Sequence, residues 1–169
     1  MLIRPVQPAD VPAVIAVINA VCAEDIYLLS DRFVATPQWE AVLYRPVEAP
    51  GCQATPRSLL LLPLVDGQVV GWCRAFEGAF PKTRHVADVG IGLLAAYRGQ
   101  GIGTRLLEQV IVWAAQQGFR KLTADCFSTN QRARALFRKL GFSETGVRYG
   151  QFKIKDEYVD EILLERFLS

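Results

Sequence analysis

The sequence predicts an α/β (α+β) fold, with a central mixed, mostly antiparallel sheet and helices on its faces, in three layers. Two observations indicate it. About seven segments have strand character and about four have helical spacing, and their order mixes hairpins with strand-helix-strand crossovers. The chain of 169 residues is 51% apolar and 21% charged. That is enough for a full core, so a single domain over residues 1–169 is expected.

The N-terminal part is predicted to form a strand and one or two helices. Residues 2–6 form a short strand-like run, and Asp10 is predicted to cap a helix that has Pro12 in its first turn. The apolar residues that follow recur at helical spacing on one face: Val11, Val14, Ile15, Ile18 and Cys22. A further short helix is expected at 38–44, ahead of a loop rich in proline.

The central part is predicted to form three strands and a long helix. Segments 59–65 and 68–76 flank Asp66-Gly67, a two-residue sequence typical of a β-hairpin, and 86–94 continues as a third strand. Residues 102–117 form an amphipathic helix that ends at Gly118. Its apolar stripe has the 3.6-residue period: Ile102, Leu106, Leu107, Val110, Ile111 and Ala114.

The C-terminal part is predicted to form a strand, a helix and a final pair of strands. The strand covers 121–127, and the helix covers 130–140 with Gly141 as its stop. Segments 142–152 and 158–167 form the last two strands around a charged turn. No internal repeat is present.

Composition argues against several classes of function. Four scattered cysteines without C-x-x-C spacing, and a single histidine, do not form a metal-binding pattern, so no metal is expected. The N-terminus has no apolar signal segment, and the longest strongly apolar run has seven residues, so a cytoplasmic protein that does not contact membranes is expected. A net charge of +2 with no aromatic stacking platform gives no reason to expect a nucleic-acid partner.

A glycine-rich segment lies between the third strand and the long helix. Gly99, Gly101 and Gly103 alternate with Gln100 and Ile102. Consecutive backbone amides followed by a helix N-terminus make a site suited to a phosphate group. The spacing fits neither the Walker loop nor the dinucleotide-binding fingerprint.

This segment carries a resemblance to a known family. Arg98-Gly99-Gln100-Gly101-Ile102-Gly103 matches the pattern [QR]-x-x-G-x-[GA], and the chain therefore resembles the GNAT superfamily of acetyl-CoA-dependent N-acetyltransferases. Asn130 and the residues Leu136-Phe137 resemble the start and body of that superfamily's second cofactor-side helix. The order of elements also fits from Leu2 to Leu168.

The resemblance implies acetyl-CoA as the co-substrate. It places the pyrophosphate at the amides of residues 100–104 and the pantetheine beside the strand that ends at Leu94. That strand diverges from the next one in the family, which leaves amides available to the thioester oxygen. The implied cofactor-binding residues are Ile91, Gly92, Leu93, Arg98, Gly99, Gln100, Gly101, Ile102, Gly103, Thr104, Asn130 and Phe137.

An acceptor amine is largely protonated at neutral pH, so a base must remove its proton before it attacks. Asp88 matches the position of the basic carboxylate in family members that acetylate amino acids. Asp125 matches the position used by members that acetylate protein N-termini. Both aspartates stand among apolar strand residues and remain candidates.

Two further roles follow from the resemblance. Many members carry a tyrosine that protonates the departing thiolate, and this chain has Phe137 there, so Tyr149, Tyr158 or water is left for that role. A thiol has a pKa of about 8.5, so its thiolate leaves without a strict need for an acid. The acceptor is expected near Glu24, Asp25 and Tyr27, which follow the first helix.

The expected function is transfer of acetyl from acetyl-CoA to a primary amine of a small molecule, an amino acid or an amino-acid-like compound. The amine attacks directly through a tetrahedral intermediate. Residues 151–164 resemble the amino-acid-type branch of the superfamily. Acetylation of a protein or peptide N-terminus is the alternative within the same chemistry, and a non-catalytic acyl-CoA-binding module is the alternative outside it. A homodimer is an open possibility.

Overall fold

The computed structural model describes residues 1–24, 26, 28, 32–33 and 57–168. The helix expected at 38–44 lies outside these residues. The strands are β1 (Leu2–Pro5), β2 (Ser58–Val65), β3 (Gln68–Val69), β4 (Gly71–Glu77), β5 (Val86–Leu93), β6 (Lys121–Phe127), β7 (Ser143–Ile154) and β8 (Glu157–Phe167). The helices in this part of the chain are α1 (Val11–Cys22), α2 (Ile102–Gln116) and α3 (Gln131–Lys139).

The strands form one mixed sheet with the order β1-β2-β4-β5-β6-β8-β7, and β3 pairs with β2 outside this path. Of these pairings, β5–β6 is parallel and the others are antiparallel. This confirms the predicted mixed, mostly antiparallel sheet.

The sheet has eight strands rather than seven because the predicted strand 68–76 is divided into β3 and β4. The pairing of β2 with these two strands shifts by one residue between Leu61↔Cys73 and Leu64↔Val69. Pro63 lies in this interval and has no N–H to donate to a regular ladder. The turn before β3 is as predicted, since Asp66 and Gly67 both have positive φ, 50° and 79°, as a type I′ hairpin turn requires.

The core is divided between the two faces of the sheet. Leu60, Leu62 and Trp72 pack with the buried face of α1. Leu61 and Cys73, which alternate with them along the strands, belong to the larger cluster that includes residues of α2 and α3. Helices therefore cover both faces, as alternation of side chains along a strand allows. No helix in the described residues is both long enough and apolar enough to cross a membrane.

Asp10 precedes α1, as predicted, but its side chain does not cap that helix. Its carboxylate accepts hydrogen bonds from Gln7 N at 2.7 Å and from both terminal nitrogens of Arg4, at 2.6 and 2.8 Å. The prediction of the cap was wrong because a short 3₁₀ turn, Pro8–Asp10, comes before the helix and takes the carboxylate. Asp10 therefore ties β1 to the start of α1.

The parallel pair β5–β6 is short. Val86, Ala87 and Asp88 pair with Lys121, Leu122 and Thr123, and the ladder stops there. β5 continues to Leu93 and pairs with β4 along its length, while β6 continues to Phe127 paired with β8. The two strands therefore open a split in the middle of the sheet.

A buried carboxylate holds the closed end of this split. The side chain of Glu77 is only 3% exposed. Its Oε1 lies 3.0 Å from Arg57 Nη2 and 3.1 Å from Arg84 Nε. Burial alone raises the pKa of Glu77, but the hydrogen bonds from Arg57 and the charges of Arg57 and Arg84 outweigh it, so the pKa is lowered overall. Arg57 also donates to the carbonyl of Gln117 after α2 and stacks on Phe119, with its guanidinium carbon 4.0 Å from the ring centroid.

We expect Glu77→Gln to lower the free energy of unfolding by about 2 kcal/mol at neutral pH, because it removes the charge of the buried group that accepts hydrogen bonds from Arg57 N and Nη2. A carboxyl group with a lowered pKa stabilises the fold above its unfolded pKa, and this stabilisation is lost as the pH falls through the folded pKa. The difference between the variant and wild type should therefore shrink below about pH 4. Urea denaturation at several pH values measures it.

Glu144→Gln is the matched control. Glu144 also binds two arginines, Arg134 and Arg138, but it is 25% exposed. A smaller loss is expected for it, because solvent screens exposed pairs. Equal losses in the two variants would contradict the role assigned to burial.

Candidate active site

The glycine segment forms a tight loop between β5 and α2. A 3₁₀ turn, Ala95–Tyr97, leads to Gly99 and Gly101, whose φ angles are 76° and 80°. Both angles lie in the left-handed region that favours glycine. Gly101 is the residue before the first turn of α2, and no side chain caps that turn. The amides at the start of α2 are therefore available to an anion, at the positive end of the helix dipole.

The polar side chains of the loop are used to hold it. Gln100 Nε2 donates to the carbonyl of Ala96 at 2.7 Å, and Arg98 Nε donates to the carbonyl of Leu93 at 2.8 Å. Arg98 also binds both oxygens of Glu24, at 2.7 Å each. What the loop presents to a ligand is therefore its backbone.

Gly103 has a different role from the other two glycines. A Cβ at this position would lie 3.1 Å from Leu136 Cδ2 on α3 and 3.5 Å from Ile91 Cδ1 on β5. The first turn of α2 thus packs closely on both neighbours because residue 103 has no side chain. This packing places the uncapped amides beside the open part of β5.

For acetyl-CoA, the co-substrate that the resemblance implies, we expect Gly101→Ala to raise KM roughly tenfold, because a left-handed alanine strains the loop and turns the amides away from the bound phosphates. Gly118→Ala is the matched control. Gly118 has a φ of 77° and, like Gly101, has no atom within 4 Å of an added Cβ, but it lies at the other end of α2. Both variants should lose about 1 kcal/mol of stability. A similar change in KM in both variants would contradict a local role for Gly101.

The split strand β5 offers backbone groups next to this loop. Beyond Asp88 its edge toward β6 has no ladder partner. On the face shared with α1, Gly90 and Gly92 are covered by side chains of β4. A Cβ on Gly90 would lie 2.8 Å from Arg74 Nε, and one on Gly92 would collide with the ring of Trp72 at Cη2. The two glycines let β4 side chains lie across β5, close to the split.

Asp88 stands at the point where the split begins. One carboxylate oxygen lies 3.2 Å from Arg74 Nη1, and the other accepts a hydrogen bond from Thr123 at 3.4 Å. Both side chains of the ion pair are accessible to solvent. Asp88 is therefore present at the split as half of an ion pair.

Asp125 lies two residues beyond Thr123 on β6, on the same face as Asp88 and past the end of the parallel ladder. No cation lies within ion-pair distance of it among the described residues. Its side chain reaches solvent, yet desolvation by the surrounding protein is the largest cause that raises its pKa. The negative charges of Asp88 and Glu161 raise the pKa further, and Arg74 and Arg148 offset this only in part.

Three further charged residues complete the arrangement around the aspartates. Glu161 on β8 is 5% exposed, and Arg148 on β7 binds it at 2.5 Å. Arg74 lies on β4 beside Asp88. Sequence reasoning did not assign Arg74 or Arg148 to the site. A signal was present for Arg74, an isolated charge between the buried residues Cys73 and Ala75.

The remaining predicted residues fall in different places. Asn130 caps α3, since its side chain accepts a hydrogen bond from Ala133 N at 3.1 Å. Phe137 is buried and packs edge-on against Phe142. Tyr149 and Tyr158 are both largely exposed, and Tyr158 points to the opposite face of β8 from Glu161. Asp25 and Tyr27 lie outside the described residues.

Where the structure describes the chain, it contains no group of three or more histidine, cysteine, aspartate or glutamate side chains placed to hold a metal ion. The site thus combines an uncapped helix start, an open strand edge and carboxylates on one face of the sheet.

The model of the acetyltransferase (GNAT) family matches residues 25–142, more than half of the chain. The chain belongs to the GNAT acetyltransferase family. This confirms the resemblance predicted from the glycine loop.

Several GNAT relatives are similar over nearly the full length. YwnH of Bacillus subtilis strain 168, whose name assigns it provisionally to the phosphinothricin acetyltransferases, is 29% identical over 171 residues and covers all of both chains. The structure of a ribosomal-protein-alanine N-acetyltransferase from Brucella melitensis has a TM-score of 0.84 at 25% identity and covers 99% of this chain and 100% of that one. A phosphinothricin acetyltransferase from Sinorhizobium meliloti, solved with acetyl-CoA, shares the fold, with a TM-score of 0.83 at 21% identity over 99% of this chain and 88% of that one.

Proposed function

We propose that this GNAT protein transfers the acetyl group of acetyl-CoA to the primary amine of a small molecule, an amino acid or an amino-acid-like compound. The observation that carries the proposal is the position of Asp125. Its carboxylate has a raised pKa and no ion-pair partner among the described residues. It lies beside the open edge of β5, the strand that leads into the uncapped loop. An acyl-CoA-binding module without catalysis has no need of such a group.

The loop fits the phosphates of acetyl-CoA by its backbone. Gly101 and the first turn of α2 present amides that no side chain caps, and Arg98 and Gln100 keep the loop closed through contacts with backbone carbonyls. Acetyl-CoA supplies the thioester-activated acetyl group. Amides alternate along β5, so those of Ile91 and Leu93 point to the open edge, and we assign them to donate a hydrogen bond to the carbonyl oxygen as negative charge develops on it.

Asp125 is assigned as the general base. Proton transfer is most efficient when the pKa of the base lies near the working pH, and the pKa of Asp125 is shifted upward, toward neutrality. The oxygens of Asp88 are instead shared with Arg74 and Thr123. We assign Asp88 and Arg74 to holding the acceptor, with Arg74 able to bind a carboxylate of the acceptor.

We assign protonation of the departing thiolate to water. The position that carries a tyrosine in many GNAT members is occupied here by the buried Phe137. Tyr158 lies on the face of β8 opposite Glu161, away from the side of the sheet that carries Asp125. No tyrosine acid is required, because a thiolate is a stable leaving group near neutral pH.

The similarity to YwnH over the full length of both chains supports a small-molecule acceptor. The alternative is acetylation of a protein N-terminus, which the similarity to the Brucella ribosomal-protein-alanine acetyltransferase favours. Release of free thiol from acetyl-CoA, measured over amino acids, other amines and short peptides, separates the two. Turnover on amino acids supports the proposal, turnover on peptides alone supports the alternative, and binding without turnover would indicate a binding module.

We expect Asp125→Asn to lower kcat/KM roughly 100-fold and to remove the part of its rise with pH that does not come from the amine, because an asparagine side chain has no proton to gain or lose. In the wild type that rise should occur at a higher pH than for an ordinary aspartate, since the pKa of Asp125 is raised. The pH profile of kcat/KM should be measured with two acceptors whose amines differ in pKa. The rising limb of the profile that is due to Asp125 stays at the same pH with both acceptors, whereas the limb that is due to the amine moves.

Asp88→Asn is the comparison variant on the same face. It removes the partner of Arg74 and should raise KM for the amine while the limb of the pH profile assigned to Asp125 remains. If Asp88→Asn removes that limb and Asp125→Asn keeps it, the two roles are reversed and Asp88 is the base.

A further inference from the structure

The pair Glu24 and Arg98 makes a contact that acetyl transfer does not directly use. Both carboxylate oxygens of Glu24 accept hydrogen bonds from the terminal nitrogens of Arg98, at 2.7 Å each. The two side chains are only 23% and 14% exposed, respectively. A two-point contact of this kind fixes direction as well as distance, because the guanidinium and the carboxylate are both planar.

Arg98 connects three parts of the fold through this contact. Its Nε donates to the carbonyl of Leu93 at the end of β5, its terminal nitrogens bind Glu24, and its backbone begins the glycine loop. Glu24 is attached in turn to the end of α1, since its N–H donates to the carbonyl of Val21 at 3.3 Å. The packed face of α1 against the sheet is therefore a fixed support for the loop.

The same contact limits what Arg98 does for an anionic ligand. Glu24 neutralises its charge, and three of its N–H groups already donate to protein oxygens. The electrostatic attraction of Arg98 for phosphate is thereby reduced. Its remaining contribution to the site is geometric.

We propose that Glu24 is a positioning residue for acetyl-CoA, which holds Arg98 and, through it, the glycine loop with the amides of α2 directed at the pyrophosphate. This assigns Glu24 to the donor side of the reaction rather than to contact with the amine. The inference rests on binding of acetyl-CoA at the glycine loop, and it depends neither on the identity of the acceptor nor on the choice of base.

Glu24→Gln and Arg98→Lys test the proposal by titration calorimetry with acetyl-CoA and no amine. Arg98→Lys keeps the positive charge but loses the planar two-point contact. Each variant should raise the dissociation constant for acetyl-CoA roughly tenfold. The double variant should raise it no further than either single one, because both substitutions remove the same contact. Glu24→Asp, which keeps the charge with a shorter reach, should give an intermediate value.

Asp10→Asn is the matched control at the other end of α1. It breaks a two-point ion pair with Arg4, of 2.6 and 2.8 Å, that does not touch the loop. We expect a loss of thermal stability similar to that of Glu24→Gln, with an unchanged dissociation constant for acetyl-CoA. Equal weakening of acetyl-CoA binding in Asp10→Asn would reduce the effect to general destabilisation and overturn the proposal.

Two other outcomes overturn it. Tighter binding by Glu24→Gln would show that Arg98, once released, binds phosphate directly and that its charge outweighs the lost geometry. An unchanged dissociation constant together with a raised KM for the amine would place Glu24 on the acceptor side. If the wild type binds no acetyl-CoA, the proposed function itself fails. If the wild type binds acetyl-CoA and both variants bind it equally well, only this inference is refuted.

Discussion

The arrangement of the site depends on how soon β5 and β6 stop pairing. Three residue pairs hold the two parallel strands together, and beyond Asp88 and Thr123 each strand pairs only with its antiparallel neighbour. An unpaired strand edge inside a sheet leaves amides without partners, which is costly unless water or a ligand satisfies them. Here β5 leads into the glycine loop, and Gly103 at the start of α2 packs against Ile91 of β5.

In the proposed site the backbone is assigned to bind the ligand, and the side chains hold the backbone. Gln100 and Arg98 donate to carbonyls of their own loop and of β5, and Gly103 lets α2 pack on Ile91 and Leu136. A phosphate bound by amides in this way is recognised by direction more than by charge, since the dipoles are fixed before binding. Under the proposal, such a loop depends on contacts that never touch the ligand, and the one between Arg98 and Glu24 is of this kind.

The charges of the chain illustrate the difference between sequence and structure. Residues 98–139 contain eight basic and two acidic side chains, which in the sequence suggests a cationic surface for an anionic co-substrate. In the fold, four of the eight are bound to acids from outside that segment: Arg98 to Glu24, Lys121 to Glu165, and Arg134 and Arg138 to Glu144. Much of the apparent positive charge is thus neutralised internally, and the case for the phosphate site rests on the amides.

The sequence by itself determined the order of most strands and of the three described helices, the hairpin at Asp66-Gly67 and the loop around Gly101, because each depends on spacing or backbone freedom within a few residues. It also offered two aspartates, Asp88 and Asp125, as candidates for the base. Only the tertiary structure decided how these differ. The ion pair of Asp88 comes from Arg74 on β4, and the raised pKa of Asp125 comes from desolvation by the surrounding protein and from the charges of Asp88 and Glu161 on other strands. Arg98 and Glu24 stand 74 residues apart, and no local pattern links them. The electrostatic environment of a side chain is a sum over neighbours in space, so it exists only once the sheet has brought those strands together.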